Sequence, residues 1–319
     1  MKKKLRIALV TIAILIIGFI LMGPMAPVWE KLGLEPYCIQ GNFPHLKITA
    51  CPNQAAQPVG PILLPTPGAD GLVPIIVDDD GSPDGTIALL FFLCNPLFDV
   101  RAVTISYGEA HPEVFARHIT QILSAFGRTD IPVGYGSDAP IEGTNAFPES
   151  WRQASDAFWS IPLPEYANAE EPVPAVELII KVVTNSDQPL MIFVSGAHTN
   201  LAEALRIDPS IASNIRAVTI MGGAVNVPGN IHSDWPDFDN KVSEWNIWVD
   251  PLAASEVFSS GLDLHLVPLD ATQQVTWEKA DLRGWRKSDA PESNLAADLA
   301  QMMLDAWGAV SYTHLRAHE

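Results

Sequence analysis

Positive charge is scarce in this sequence. Its 319 residues hold 19 Lys and Arg against 37 Asp and Glu, a formal net charge of −18. Such a surface repels a phosphate backbone, which argues against nucleic acid as a partner but not against a small uncharged ligand. Most of the acidic excess reads as a solubilising surface. Cysteine is scarce as well. Cys38 and Cys51 lie close together and can form a disulfide if their segment is outside the cell; two buried thiols are the alternative. Cys94 falls in an apolar stretch that reads as helix and is expected in the core. No internal repeat is visible. What is plentiful is apolar side chain, 48% of the chain. That is enough for one sizeable core and unlike a disordered chain.

Charge is absent altogether from residues 7–29, which follow Lys2, Lys3, Lys4 and Arg6. As a helix that run spans a hydrocarbon core of about 30 Å. The basic flank before it reads as an export signal with the N-terminus inside. Pro24 and Pro27 flank the best cleavage position and obstruct the extended peptide a peptidase needs. The expectation is a basic flank (1–6), an uncleaved transmembrane signal-anchor (7–29) and an extracytoplasmic domain, with a cleaved secretory signal as second choice. Ten prolines from Pro24 to Pro74, with little periodicity, make 30–70 read as a stalk.

From residue 71 the pattern changes. Short apolar runs at 73–77, 100–105, 131–133, 190–194, 217–221 and 264–268 read as buried strands. Residues 85–94, 113–126, 173–184, 201–205, 251–259 and 295–307 read as helices. The alternation predicts an α/β fold: an open, doubly wound, mostly parallel, Rossmann-like sheet with helices on both faces, preceded by the one transmembrane helix. The Pro- and Trp-rich stretch 142–174 reads as an excursion over the sheet. In such sheets ligands bind beyond the carboxyl ends of the strands. The candidates are therefore Asp78, Asp79 and Asp80, then 106–109, 195–200, 221–230 and Asp270.

Asp78-Asp79-Asp80-Gly81-Ser82-Pro83-Asp84 is the strongest signal. Four carboxylates at one strand end repel one another and call for a cation or a bound polyol. Oxygen-only ligands suit Ca²⁺ or Mg²⁺. The pleat points Asp78 and Asp80 to one side and Asp79 to the other. An Asx-rich turn with Asp84 as a helix N-cap is the plainer alternative. Two families have such a strand end. In haloacid-dehalogenase-like phosphatases an Asp-x-Asp pair is nucleophile and acid. Asp78 and Asp80 resemble that pair, and Ser195 resembles their phosphate-holding hydroxyl. No Gly-Asp pair with a nearby second Asp completes their magnesium site.

The resemblance to nucleoside hydrolases is broader, from about residue 74 to about 274. Their opening motif, Asp-x-Asp-x-Gly-x-Asp-Asp, is similar to 78–85. Residues 130–141, with Ile-Pro-Val-Gly-Tyr-Gly and Ala-Pro-Ile, resemble their third strand and its continuation. Val194-Ser-Gly-Ala-His-Thr199-Asn200 resembles their Gly-Pro-Leu-Thr-Asn block. Met221-Gly-Gly-Ala with Gly229-Asn230 resembles their Met-Gly-Gly loop, and Glu244-Trp-Asn246 with Asp250-Pro251 their Glu-Phe-Asn block. Val267-Pro-Leu-Asp270 also fits. Each block is weak alone; together and in the right order they are specific. On them the chain is identified as a member of the nucleoside hydrolases, the inosine/uridine-preferring N-ribohydrolases.

That resemblance implies hydrolysis of the N-glycosidic bond of nucleosides to ribose and free base by a metal-activated water. Asp80 would be the catalytic base and would bind Ca²⁺ together with Asp78 and the backbone carbonyl of Thr199. Asp84, Asn230, Glu244 and Asn246 would hold ribose hydroxyls, which both donate and accept. Asp250 reads as a helix cap, and Trp245 and Trp248 as core. Two departures stand out. The last Asp of the opening motif, a metal ligand in the family, falls on Gly85, so Asp79, Asp84 or Glu109 is expected to supply the charge. Residues 311–319 lack apolar periodicity and read as a non-native tail on an incomplete domain (71–310). The family's later ligand Asp and leaving-group acid would then be missing, and the chain inactive or unstable. The alternatives are a Mg-dependent phosphatase of the haloacid-dehalogenase type and a non-catalytic nucleoside- or ribose-binding protein. No base preference is legible, and a homo-oligomer stays open.

Overall fold

The computed structural model describes residues 71–163, 170–236, 238–288 and 290–307, with the backbone alone at 276 and 307 and in short strands at 37–40, 47–50 and 310–311. The chain divides into two units, 1–64 and 65–319. In the first, β1 (Tyr37–Gln40) and β2 (Lys47–Ala50) pair antiparallel, with Cys38 opposite Thr49. The stretch read as a stalk therefore holds a hairpin. Cys51 and the apolar run 7–29 lie outside the described residues. Among the described residues no helix is long and apolar enough to cross a membrane.

The second unit runs β3 (Val73–Asp79), α1 (Pro83–Cys94), β4 (Phe98–Ile105), α2 (Pro112–Ala125), β5 (Val133–Tyr135), α3 (Glu149–Asp156), β6 (Val173–Pro174), α4 (Ala175–Asn185), β7 (Leu190–Val194), α5 (Thr199–Ile207), β8 (Ile215–Met221), α6 (Ile231–Asp234), α7 (Trp245–Val249), α8 (Pro251–Ser259), β9 (Leu264–Val267), α9 (Leu269–Thr272), β10 (Thr276–Trp277), α10 (Lys279–Trp285), α11 (Pro291–Trp307) and β11 (Val310–Ser311). Strands β3 to β9 form one sheet in the order β6-β5-β4-β3-β7-β8-β9, and each pair is parallel. The chain builds outward from β3 through β4, β5 and β6, then returns to build β7, β8 and β9 on the other side. The order reverses between β3 and β7, which is where such sheets open a binding crevice.

The pleat of β3 divides the core in two. Ile75 and Val77 pack with Leu90, Phe115 and Leu299 on the side of α1, α2 and α11. Ile76 packs with Ile179, Leu201 and Val257 on the side of α4, α5 and α8. A central strand covered on both faces must be apolar on both, and every residue of β3 is buried. Helix α1 is apolar all round because the sheet lies against one side and α11 against another. Cys94 corrects the expectation of a core thiol. It is exposed, since it shares with Phe91, three residues earlier, a helix face left uncovered. Val173 and Pro174 were expected to open a helix and instead form the edge strand β6. Pro174 has no N–H to donate, so it suits a sheet edge and the entry to α4.

Candidate functional site

Strand β3 ends at the switch point, and its last residues carry the aspartates. Asp78, Asp79 and Asp80 are 0%, 1% and 0% exposed. The pleat separates them. Asp78 turns toward α5, where its Oδ1 accepts from the Thr104 hydroxyl at 2.6 Å and from Asn200 Nδ2 at 2.8 Å. Asp79 turns the other way; its Oδ1 accepts from the Ser195 hydroxyl at 2.9 Å and its Oδ2 from the Gly81 N–H at 3.1 Å. Asp80 is gripped by glycine backbone. A Cβ on Gly108 would come within 2.8 Å of Asp80 Cγ, and one on Gly196 within 2.9 Å of Asp80 N. Only glycine lets the ends of β4 and β7 approach that closely. The Glu109 N–H donates to Asp80 Oδ2 at 3.3 Å, while Asp80 Oδ1 and Asp78 Oδ2 have no hydrogen-bond partner.

The loops after the neighbouring strands complete the edge. Glu109 is buried, with Ser155 of α3 donating to it at 3.4 Å. The excursion 142–174 thus reaches the site, held by Arg152, which donates to Ala110 O at 3.1 Å and pairs with Asp138. Asn230 is 3% exposed, and neither end of its amide has a partner. Asn246 Nδ2 donates to Ser195 O at 3.0 Å and Met221 O at 3.1 Å, tying β7 to β8, and its Oδ1 is unpartnered. Glu244 is buried and accepts from the N–H groups of Asn246 (3.0 Å), Ile247 (3.2 Å) and Gly223 (2.9 Å). It caps α7 and orients the loop after β8. Asp84 is half-buried in the first turn of α1.

Several expectations about roles are settled by these contacts. Asp250 caps α8, accepting from Ala253 N at 3.1 Å, and also accepts from Ile141 N and the Thr199 hydroxyl, both at 2.8 Å. Trp245 is fully buried and stacks on Phe147 at 4.7 Å. Asp270 is half-buried and clamps the loop after β8 through Val225 N at 2.9 Å and Asn226 N at 2.7 Å. Thr104 and Asn200, which fix Asp78, were assigned no role from sequence. Thr104 stands beside Asp78 only through the β3–β4 register.

Burial decides the electrostatics. It pushes Asp78 and Asp79 each up to about 7. Asp80 and Glu109 rise well above the usual carboxylate range, first through burial and then through neighbouring carboxylates. The charges given for Asp80 and Glu109 are those of other carboxylates, which raise both further, against weaker opposing hydrogen bonds. Among the described residues no three His, Cys, Asp or Glu side chains are already gathered as a metal cage. The donor set does fit a hard cation: Asp78 Oδ2, Asp80 Oδ1 and Asn200 Oδ1 are buried, unpartnered oxygens at one strand edge. His198 is buried beside this edge, and burial lowers it to about 4, so it is neutral.

Residues 75–316 match the family model described as inosine-uridine preferring nucleoside hydrolase. The pyrimidine-specific ribonucleoside hydrolase RihA of Escherichia coli O127:H6 is 34% identical over 243 residues, 75% of each chain. Among solved structures, the purine-preferring ribonucleoside hydrolase from Gardnerella vaginalis is similar with a TM-score of 0.66 at 25% identity, covering 75% of this chain and 77% of that one. A plant nucleoside hydrolase is similar with a TM-score of 0.64 at 28% identity, over 76% of each chain.

Proposed function

The chain belongs to the nucleoside hydrolase family, and from that premise we propose that it cleaves ribonucleosides to ribose and free base with Asp80 as general base. One observation carries the assignment. Asp80 is wholly buried at the switch point, and its Oδ1 has no partner. A base must keep a lone pair free for the proton it takes. Water gives that proton to the Asp80 carboxylate, which has lone pairs beyond the one a cation takes, as its oxygen attacks the anomeric carbon. The bond to the base nitrogen breaks, and its electron pair leaves with the base.

Asn230 presents an unused donor and an unused acceptor, which suits a sugar hydroxyl. Asn246 Oδ1, Glu244 and Asp84 join it in holding the ribose. Asp78, fixed by Thr104 and Asn200, sets the end of β3 against β4 and the start of α5. The oxygen-only donor set suits Ca²⁺, which Asp80, Asp78 and the Thr199 carbonyl would hold and which would supply a water of lowered pKa. The relatives' printed preferences differ, pyrimidine in one and purine in another. Base choice is thus left to the loops around the shared ribose site. Residues 7–29, uncharged behind a basic flank, are proposed to anchor the domain outside the cell.

Ribose release from inosine, uridine and other nucleosides, with and without Ca²⁺, tests the reading. Calcium-dependent release that disappears in Asp80→Asn is the expected result. Phosphate release from an aryl phosphate, or saturable nucleoside binding without turnover, would replace it. Recovery of the chain in membranes after an alkaline wash tests the anchor.

A further inference from the structure

Gly85 departs from the Asp-rich opening motif, and its surroundings explain how. A Cβ on residue 85 would overlap Asp79 Oδ1 and lie 2.6 Å from Asp79 Cγ and 2.8 Å from Ser82 Oγ. The space a side chain at 85 needs is already taken by the Asp79 carboxyl. The pleat brings it there: Val77 and Asp79 face α1, while Ile76 and Asp78 face α5. Ser195 and Gly81 N hold the Asp79 oxygens at 2.9 and 3.1 Å. The carboxyl therefore sits by the first turn of the 12-residue α1, where the helix N–H groups favour negative charge. The next residue, Asp80, is 0% exposed and has an unpartnered Oδ1. Glu109, another acid considered for the missing charge, is not among the atoms nearest that space. Glu109 lies by Ser155 of α3 at 3.4 Å, and Asp84 is half-buried.

We propose that Asp79 and Gly85 are a compensating pair: the carboxylate absent from position 85 is supplied from position 79, in the same space, as a charge partner of the cation held at Asp80. This rests on the nucleoside hydrolase reading for the cation, and it predicts an exchange of the acid between the end of β3 and the first turn of α1, which the turn between them brings together. A second acid at 85 is incompatible with Asp79, and either position alone suffices.

The test uses the full chain and four variants: Asp79→Asn, Asp79→Ala, Gly85→Asp, and Asp79→Ala combined with Gly85→Asp. Ca²⁺ affinity is read by titration calorimetry, folding by circular dichroism, and the melting midpoint in EDTA. Asp79→Asn keeps the volume of the carboxyl and removes its charge; it should fold and bind Ca²⁺ at least tenfold more weakly. Gly85→Asp alone should melt below the wild type without metal. The double variant should melt above Gly85→Asp and bind Ca²⁺ within about threefold of the wild type. Unchanged affinity in Asp79→Asn, no Ca²⁺ binding by the wild type, or a folded double variant as weak as Asp79→Ala would each overturn the pair. Ribose release by the wild type is scored separately. Release by the wild type with unchanged affinity in Asp79→Asn removes the pair and leaves the activity; restored affinity in the double variant with no release by the wild type leaves the pair and removes the activity.

Discussion

Asp234 carries a pH signature outside the strand-end cluster. Burial pushes its carboxyl up to about 8, against the opposing pull of the Trp245 Nε1–H at 3.0 Å. In an unfolded chain an aspartate titrates near 4. Between about pH 4 and about pH 8 the folded state therefore holds a proton that the unfolded state has lost. The stabilisation is complete below pH 4, declines as pH rises through that window, and is gone above 8. Asp234→Asn should flatten this slope; urea midpoints at pH 5, 6.5 and 8 that fall as steeply as in the wild type would show that Asp234 is not its source. At Asp80 the expected effect is catalytic. Asp80→Asn keeps the shape and loses the base, and kcat should fall about a thousandfold. An undiminished kcat would move the base elsewhere.

At the scale of elements, Asp250 joins three pieces of the fold. It caps α8, holds the Thr199 hydroxyl at the start of α5 and fixes the backbone at Ile141. A lost cap costs about 1 kcal/mol, and buried donors left without an acceptor cost about 1–3 kcal/mol each. Asp250→Ala should therefore lower stability by about 3 kcal/mol, and Asp250→Asn by less, since its amide oxygen still accepts. Equal losses in the two variants would mean that packing, not hydrogen bonding, is what Asp250 provides. Most elements were readable from apolar periodicity and punctuation: Pro83, Pro112 and Pro251 each open a helix. What periodicity missed is short or irregular. The edge strand β6 has only two residues, too few for any repeat to register. Helix α10 buries only Leu282, so its apolar stripe is too thin to stand out.

For the molecule as a whole, removal of the cation should be felt as instability. Four carboxylates, Asp78, Asp79, Asp80 and Glu109, are buried at one sheet edge. A ligand that binds only the folded state at a hundred times its dissociation constant adds about 2.7 kcal/mol. Saturating Ca²⁺ should raise the melting midpoint, EDTA should reverse the rise, and Asp80→Ala should show neither. A midpoint indifferent to Ca²⁺ in the wild type would place no cation at this edge.

The sequence by itself determined the alternation of strand and helix, hence the parallel sheet and the edge where chemistry lies. These follow from local periodicity and from the rule that parallel strands need crossovers. It also determined that Asp78 and Asp79 face opposite ways, because a strand alternates its side chains whatever surrounds it. Which partner each aspartate meets was decided only by the tertiary structure. Thr104 and Asn200 reach Asp78 across strand register and helix placement, and the Asp79 carboxyl fills the space beside Gly85 because α1 folds back over β3. No linear spacing encodes such a contact. It exists once two apolar layers have closed on the central strand and left its acidic end no water to face.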